Sequence, residues 1–240
     1  MNKLTVIGGG LAGCEAAYAA ANRGIEVELL EMKPAKKTAA HKSDSLAELV
    51  CSNSLKAARV DSAAGLLKEE MRRLGSVCLA AADRSAVAAG GALAVDRDIF
   101  SRLITEKIKS HPNITVTERL VTEIPQSGVT VIATGPLTDD ALAEKLAGLC
   151  DGGNLSFYDA AAPIVTAESV DMSKAFFASR YDKGGDDYIN CPMNKEEYTA
   201  FYHELINAES APLHGFDKAP NVYEGCMPIE VLAKRGEDSI

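Results

Sequence analysis

Leu4-Thr5-Val6-Ile7-Gly8-Gly9-Gly10-Leu11-Ala12-Gly13, residues 4–13, is an apolar run that breaks into glycines. Residues 4–7 read as a short buried strand. Gly8, Gly10 and Gly13 fit G-x-G-x-x-G. The first glycine allows a tight turn, the second lets the backbone approach a pyrophosphate, and the third lets helix and strand pack closely. An alanine-rich stretch from Leu11 to Asn22 predicts a helix, closed by Gly24. Its N-terminus would offer free N–H groups and a positive dipole end to phosphates. Residues 25–30 read as a second strand ending at Glu31, which completes a β-turn-α-turn-β unit of about thirty residues. Glu31 stands where a carboxylate binds a ribose 2′-hydroxyl, and there it would repel the 2′-phosphate of NADP. Gly8, Gly9, Gly10, Leu11, Ala12, Gly13 and Glu31 are therefore the candidate cofactor-binding residues, and the fold class is α/β, a Rossmann-like three-layer domain.

Outward from this unit, residues 32–61 read as mostly loop, with a short helix near Asp44–Val50. A helix is predicted over Ser62–Leu74, capped by Asp61 or Ser62 and stopped by Gly75. Asp96 caps another, whose Ile99, Phe100, Leu103, Ile104 and Ile108 make one apolar stripe. Strands are predicted at 114–121 and 129–134. Thr138 is the expected cap of a helix through Leu149, with Leu142, Leu146 and Leu149 on one side. Val129-Thr130-Val131-Ile132-Ala133-Thr134-Gly135 resembles the later strand of two-dinucleotide flavoproteins, whose small residues let the backbone pass close to the flavin nucleotide. It adds Ala133, Thr134 and Gly135 to the candidate site and favours FAD over NAD. Beyond residue 150 Tyr, Phe and Asn-Gly-Asp clusters become commoner, and Asn194 with Glu197 opens a further helix as a capping-box pair.

The composition is that of a globular chain: 240 residues, 47% hydrophobic, 25% charged, no Trp. It excludes a disordered or collagen-like chain. The formal charge of −9 argues weakly against a nucleic-acid partner, but residues 31–84 alone carry a net +3. Six cysteines without a C-x-x-C pair exclude a thioredoxin-type motif and a regular zinc site, so no metal is expected. No run has the length of a signal or membrane-spanning segment, which predicts a cytoplasmic protein without a membrane partner.

Two cysteines are candidates for chemistry. Cys51 ends the apolar Leu46–Val50 stretch where it meets Ser52-Asn53-Ser54. Cys226 lies between Gly225 and Met227-Pro228, in a loop context. A thiol exposed in such a loop is a candidate nucleophile; the alternative for either cysteine is a buried, inert thiol. Cys14, Cys78 and Cys150 read as packing residues, Cys191 is open, and His41 is a candidate assistant to a site.

Several stretches together resemble one family: residues 6–17 around the glycine turn, Leu49–Leu55 around Cys51, Ala133–Thr138, Phe157-Tyr158-Asp159-Ala160-Ala161-Ala162-Pro163, Arg180–Gly184, Tyr188–Met193 and Glu224–Glu230 around Cys226. The chain is similar along its whole length to the methylenetetrahydrofolate–tRNA-(uracil-5-)-methyltransferases, TrmFO. The glycine turn alone would not separate these from the related GidA-type tRNA-modifying flavoproteins; the cysteine motifs and the Phe157–Pro163 stretch do. The resemblance implies methylation of C5 of a uridine in the tRNA T-arm. The carbon comes from 5,10-methylenetetrahydrofolate, and FAD relays it with reducing equivalents drawn from NAD(P)H. It implies Cys226 as the thiol that adds to uracil C6 and Cys51 as a second functional cysteine near the flavin, with their division of roles left open.

The family runs to nearly twice this length. The resemblance therefore implies an incomplete copy: residues 1–175 an FAD-binding domain lacking its C-terminal return, residues 176–240 the start of an insertion domain. It predicts weak or no flavin binding and no turnover for these 240 residues alone. Two alternatives remain at this level: a general FAD/NAD(P)H oxidoreductase, and an inactive flavin- or tRNA-binding fragment.

Overall fold

The computed structural model of the chain describes residues 3–38, 40–149, 165–180, 183–209 and 229–240. Strand β1 (Lys3–Ile7) is flanked by β2 (Glu26–Glu31) and, on its other side, by β7 (Val129–Ile132); β6 (Ile114–Glu118) lies outside β2. All three pairings are parallel. The chain steps outward from β1 to β2 and β6, then returns to the far side of β1. That reversal opens a crevice at the carboxyl ends of the strands.

Strand alternation sorts the sheet's side chains onto two faces. Leu4, Val6, Val27, Leu29, Ile114, Val116 and Val131 share one face and pack with α1 (Leu11–Ala21), α3 (Val77–Arg84) and α4 (Arg97–Lys109). Small side chains, Cys14, Ala17 and Ala21, bury the inner side of α1. In α4 the Phe100, Ile104 and Ile108 side chains are fully buried, whereas Ile99 of the expected stripe is exposed. Burying each is worth about 1.5–3 kcal/mol, against about 1 kcal/mol for a cap. Packing therefore holds the helix, while Asp96, accepting the Ile99 N–H, fixes where it starts.

The opposite face is divided. At its carboxyl end Ile7, Leu30 and Ile132 pack with Leu142 and Leu146 of α5 (Asp140–Leu149). Toward its other end it carries Thr5, Glu28, Thr115 and Thr130, with Glu28 paired to Lys3. Helices on one face and α5 on the other give the three layers expected. Leu149 does not join them; it is exposed. Nor does Thr138 cap α5: its hydroxyl donates to the Gly135 carbonyl, and Asp139 accepts the Ala141 N–H instead.

Other expectations need correction. No helix forms over Asp44–Val50, because Ala47 adopts φ 51° and the Lys42 and Ser43 N–H groups turn to the Glu48 carboxylate. The strands expected to reach 121 and 134 stop at Glu118 and Ile132, and their continuations bend into the crevice. A small antiparallel sheet of β3 (Ser54–Ala57), β5 (Ala92–Val95) and β4 (Ala86–Val87), in the order β3-β5-β4, was not anticipated. Its strands are short and alanine-rich, a weak strand signal. Helix α2 (Ala63–Arg73) has Ser62 as its cap, as expected.

Further along lie the hairpin of β8 (Phe176–Arg180) and β9 (Lys183–Asn190), helix α6 (Lys195–Asn207) with the full Asn194–Glu197 capping box, and the short α7 (Ile229–Ala233). The hairpin meets the loop before β5: Asp187 accepts the Gly90 N–H at 2.6 Å and the Tyr188 hydroxyl donates to the Ala89 carbonyl at 2.7 Å. Among the described residues no helix is long and apolar enough to cross a membrane.

Candidate functional site

The crevice at the strand ends is a cleft of about 400 Å³. Gly8, Gly9, Gly10, Leu11, Ala12, Glu31, Ala133, Thr134, Gly135 and Cys51 all line it. Of the candidate residues, Gly13 lies behind the turn, and Cys226 falls outside the described residues, as do Cys150 and the Phe157–Pro163 stretch.

Each glycine of the turn has its own reason to lack a side chain. Gly8 sits at φ +99°, and a Cβ on it would come within 2.7 Å of the Ala133 carbonyl. A Cβ on Gly13 would lie 1.8 Å from the Gly8 carbonyl oxygen, so only glycine lets α1 seat on the end of β1. Gly10 is different: a Cβ there meets nothing within 4 Å, and the residue lines the cleft. The turn is thus open on its cleft side, where the first N–H groups of α1 emerge unpaired by helix geometry.

Glu31 braces this turn from below. Its Oε2 accepts the Gly9 N–H at 2.6 Å and its Oε1 accepts the Lys33 N–H at 3.0 Å. Each oxygen keeps a further lone pair, so the carboxylate can hold the turn and a ribose hydroxyl together. The Gly9 carbonyl accepts from the Ala47 N–H and the Cys14 thiol. Gly9 is therefore structural in both its polar groups, and any backbone donor the turn offers to the cleft comes from residues after it.

The 33–48 segment builds the wall beside Glu31. The Lys33 ammonium, 4% exposed, donates to the Ser45 carbonyl at 2.6 Å and to Glu48 at 3.0 Å. Burial works to raise the Glu48 carboxyl, but the Lys42 N–H, the Lys33 ammonium and the Ser43 N–H outweigh it and hold it below the ordinary carboxylate range. His41 lines the cleft, half-buried, with Nδ1 tied to Thr38. At the mouth Lys36 forms an ion pair with Asp139, joining the loop after β2 to the start of α5. No spacing rule links residues 33, 41 and 48, and the sequence offered no signal for them beyond the isolated His41.

Cys51 is exposed and lines the same cleft. Its segment is stapled to the β5–α4 junction. Arg97 donates to the Cys51 carbonyl at 3.0 Å, the Asn53 amide donates to the Val95 carbonyl, and the Val95 N–H returns to the Asn53 carbonyl. Ala47 (φ 51°) and Lys56 (φ 67°) sit in the left-handed region on either side, a conformation that persists only where the surroundings enforce it. Cys14 and Cys78 are buried, which pushes the Cys14 thiol up to about 12 and the Cys78 thiol well above its ordinary range.

The chain as a whole has counterparts among known proteins. Residues 3–240 match the family described as GIDA, glucose inhibited division protein A. The chain belongs to the GIDA family. Within it, the chain is 58% identical over 240 residues to a protein of Desulfitobacterium hafniense, 57% over 240 to one of Lactobacillus gasseri and 59% over 238 to one of Natranaerobius thermophilus. Each bears the name methylenetetrahydrofolate–tRNA-(uracil-5-)-methyltransferase TrmFO. These matches cover 99–100% of this chain and 55% of each relative. The chain thus spans about half the length of the curated relatives it matches.

Proposed function

We propose that this chain is the FAD-binding portion of a folate- and FAD-dependent tRNA (uracil-5-)-methyltransferase. The whole protein would transfer one carbon from 5,10-methylenetetrahydrofolate to C5 of a T-arm uridine in tRNA. The observation that carries the reading is identity of 57–59% to TrmFO relatives over essentially the whole chain, a span that contains the segments lining the cleft. In this reading residues 1–175 belong to the flavin domain, residues 176–240 open an insertion domain, and the protein works in the cytoplasm.

The residues fit a dinucleotide. Gly10, Leu11 and Ala12 present the start of α1 to a pyrophosphate across an open face, Glu31 takes ribose hydroxyls, and Ala133–Gly135 lets the main chain pass close to the nucleotide. When bound, FAD would supply the carbon relay and an electron pair, with NAD(P)H as the ultimate reductant. The remaining chemistry belongs to side chains. Uracil C5 is a poor nucleophile. Addition of the Cys226 thiolate to C6 makes C5 enolate-like and able to form the new carbon–carbon bond. Removal of the C5 proton then expels the thiol and restores the ring. Cys51, held on the cleft wall, is the second functional cysteine, as a proton carrier or in protecting the reactive carbon.

The test is methyl transfer to a T-arm transcript by the gene product that contains this chain, with methylenetetrahydrofolate and NAD(P)H. Incorporation that is lost in Cys226→Ala supports the proposal. NAD(P)H oxidation indifferent to folate and tRNA overturns it in favour of a general flavin oxidoreductase.

A further inference from the structure

His41 occupies an unusual position in the cleft wall. Its Nδ1 faces the Thr38 backbone N–H at 3.4 Å and the Thr38 hydroxyl at 2.9 Å. A ring nitrogen that accepts a backbone N–H carries no proton, so the neutral ring is protonated at Nε2. Burial, then the nearby Lys33, holds its pKa below the ordinary 6.5. The charges around it are Lys33, Glu48, Glu31 and Lys37, and all four are committed elsewhere. Lys33 and Glu48 pair with each other, Lys37 pairs with Asp44, and both Glu31 oxygens hold backbone N–H groups. Nε2 has no protein partner among the described residues. In this wall it is the polar donor left over, beside the carboxylate placed for a ribose.

We propose that His41 is a specificity-determining residue: a neutral Nε2–H donor to an uncharged acceptor, a ribose oxygen or a base nitrogen, on the nucleoside end of the dinucleotide. This rests on the cofactor reading above. An uncharged donor suits a ribose or a base and gives no reward to an added phosphate. Glu31 in the same wall repels one. The two residues thus select in the same direction, for a nucleoside without a 2′-phosphate.

Two measurements test it. Selective ¹⁵N-histidine labelling of the 240-residue chain reads the tautomer directly. At pH 7 His41 is expected protonated at Nε2 and bare at Nδ1; an Nδ1–H tautomer or an imidazolium overturns the proposal without any variant. In the gene product that contains the chain, FAD affinity is read by flavin fluorescence. His41→Asn, which cannot place a donor at the Nε2 position, should weaken binding about tenfold, the worth of one hydrogen bond. His41→Gln, which can, should stay within about threefold. Wild-type binding that Asn and Gln leave equally unchanged sinks the role of His41 alone. Failure of the wild type to bind FAD sinks the cofactor reading and this proposal with it. Matching urea midpoints among the variants keep folding apart from binding.

Discussion

The Glu31 carboxylate accepts the Gly9 N–H at 2.6 Å across 22 residues of sequence. One side chain therefore ties the end of β2 to the turn that follows β1. A hydrogen bond to a charged, buried group contributes about 1.5–3 kcal/mol. Glu31→Ala should lower unfolding free energy by that amount and also reduce dinucleotide affinity, whereas Glu31→Gln should retain part of both. Urea denaturation with flavin titration checks this. An alanine variant of unchanged stability would show that the turn holds without its brace.

The glycines separate fold from ligand. In Gly13→Ala the new methyl would sit 1.8 Å from a backbone oxygen, and neither the strand end nor α1 can move freely. A loss of at least about 3 kcal/mol is expected. Gly10→Ala meets nothing and should leave the melting temperature within a few degrees while blocking a phosphate from the turn. Circular dichroism melts and a binding titration distinguish the two; a folded, stable Gly13→Ala protein would contradict the packing described.

What the sequence made legible follows from how local each signal is. The β1-turn-α1-β2 unit was readable because its strand, glycines, helix and carboxylate are consecutive, and each constrains the next. The α4 cap and stripe, and the Asn194–Glu197 box, were readable for the same reason. The wall of the cleft was not. Lys33 meets Glu48 through a turn set by Ala47 in a left-handed conformation, which no residue type announces; an apolar run there reads as a helix. Strands β3 and β5, which position Cys51, are only four residues each: Ser54–Ala57 alternates too briefly to be distinctive, and Ala92–Val95 has no polar residue to alternate. Cys51 was readable only as the residue where an apolar run meets a polar turn, which fits a buried thiol as well as an exposed one; its exposure and its placement in the cleft depend on Arg97 and Asn53, long-range contacts without a spacing rule.

Acid should loosen this wall first. The Glu48 carboxyl is held below its ordinary 4.5 and the His41 ring below its ordinary 6.5. In both cases the folded value is depressed, so the unfolded chain binds more protons and stability falls as pH falls. The His41 contribution is complete above pH 6.5 and drains below it; that of Glu48 is complete above pH 4.5 and drains as pH drops through its folded value. His41→Asn should flatten the stability slope just below pH 6.5, leaving the more acidic limb intact. Lys33→Met, which leaves the part-buried Glu48 without its counter-ion, should cost up to about 3 kcal/mol at pH 7 and less in acid, where Glu48 becomes neutral. Urea midpoints measured from pH 4 to 8 provide the check; a pH-independent cost for Lys33→Met would remove the ion pair from the account.

Thiol chemistry should divide along burial. A thiol alkylates through its thiolate, and the Cys14 thiol, pushed up to about 12 by burial and then by Glu31 and Glu15, is ionised in roughly one molecule in ten thousand at pH 8. Cys78 is held higher still by burial and the Glu15 carboxylate, and its sulfur lies against the Leu11 carbonyl. Cys51 and Cys191 are exposed. Iodoacetamide at pH 8 should therefore label Cys51 and Cys191 within minutes, while Cys14 and Cys78 react only at the rate of unfolding. Peptide-resolved mass spectrometry reads all four at once. The division has a functional consequence: among these four thiols, Cys51 alone both lines the cleft and is exposed, so bound FAD should slow its labelling and leave Cys191 unaffected. Equal protection of both, or of neither, would separate Cys51 from the ligand.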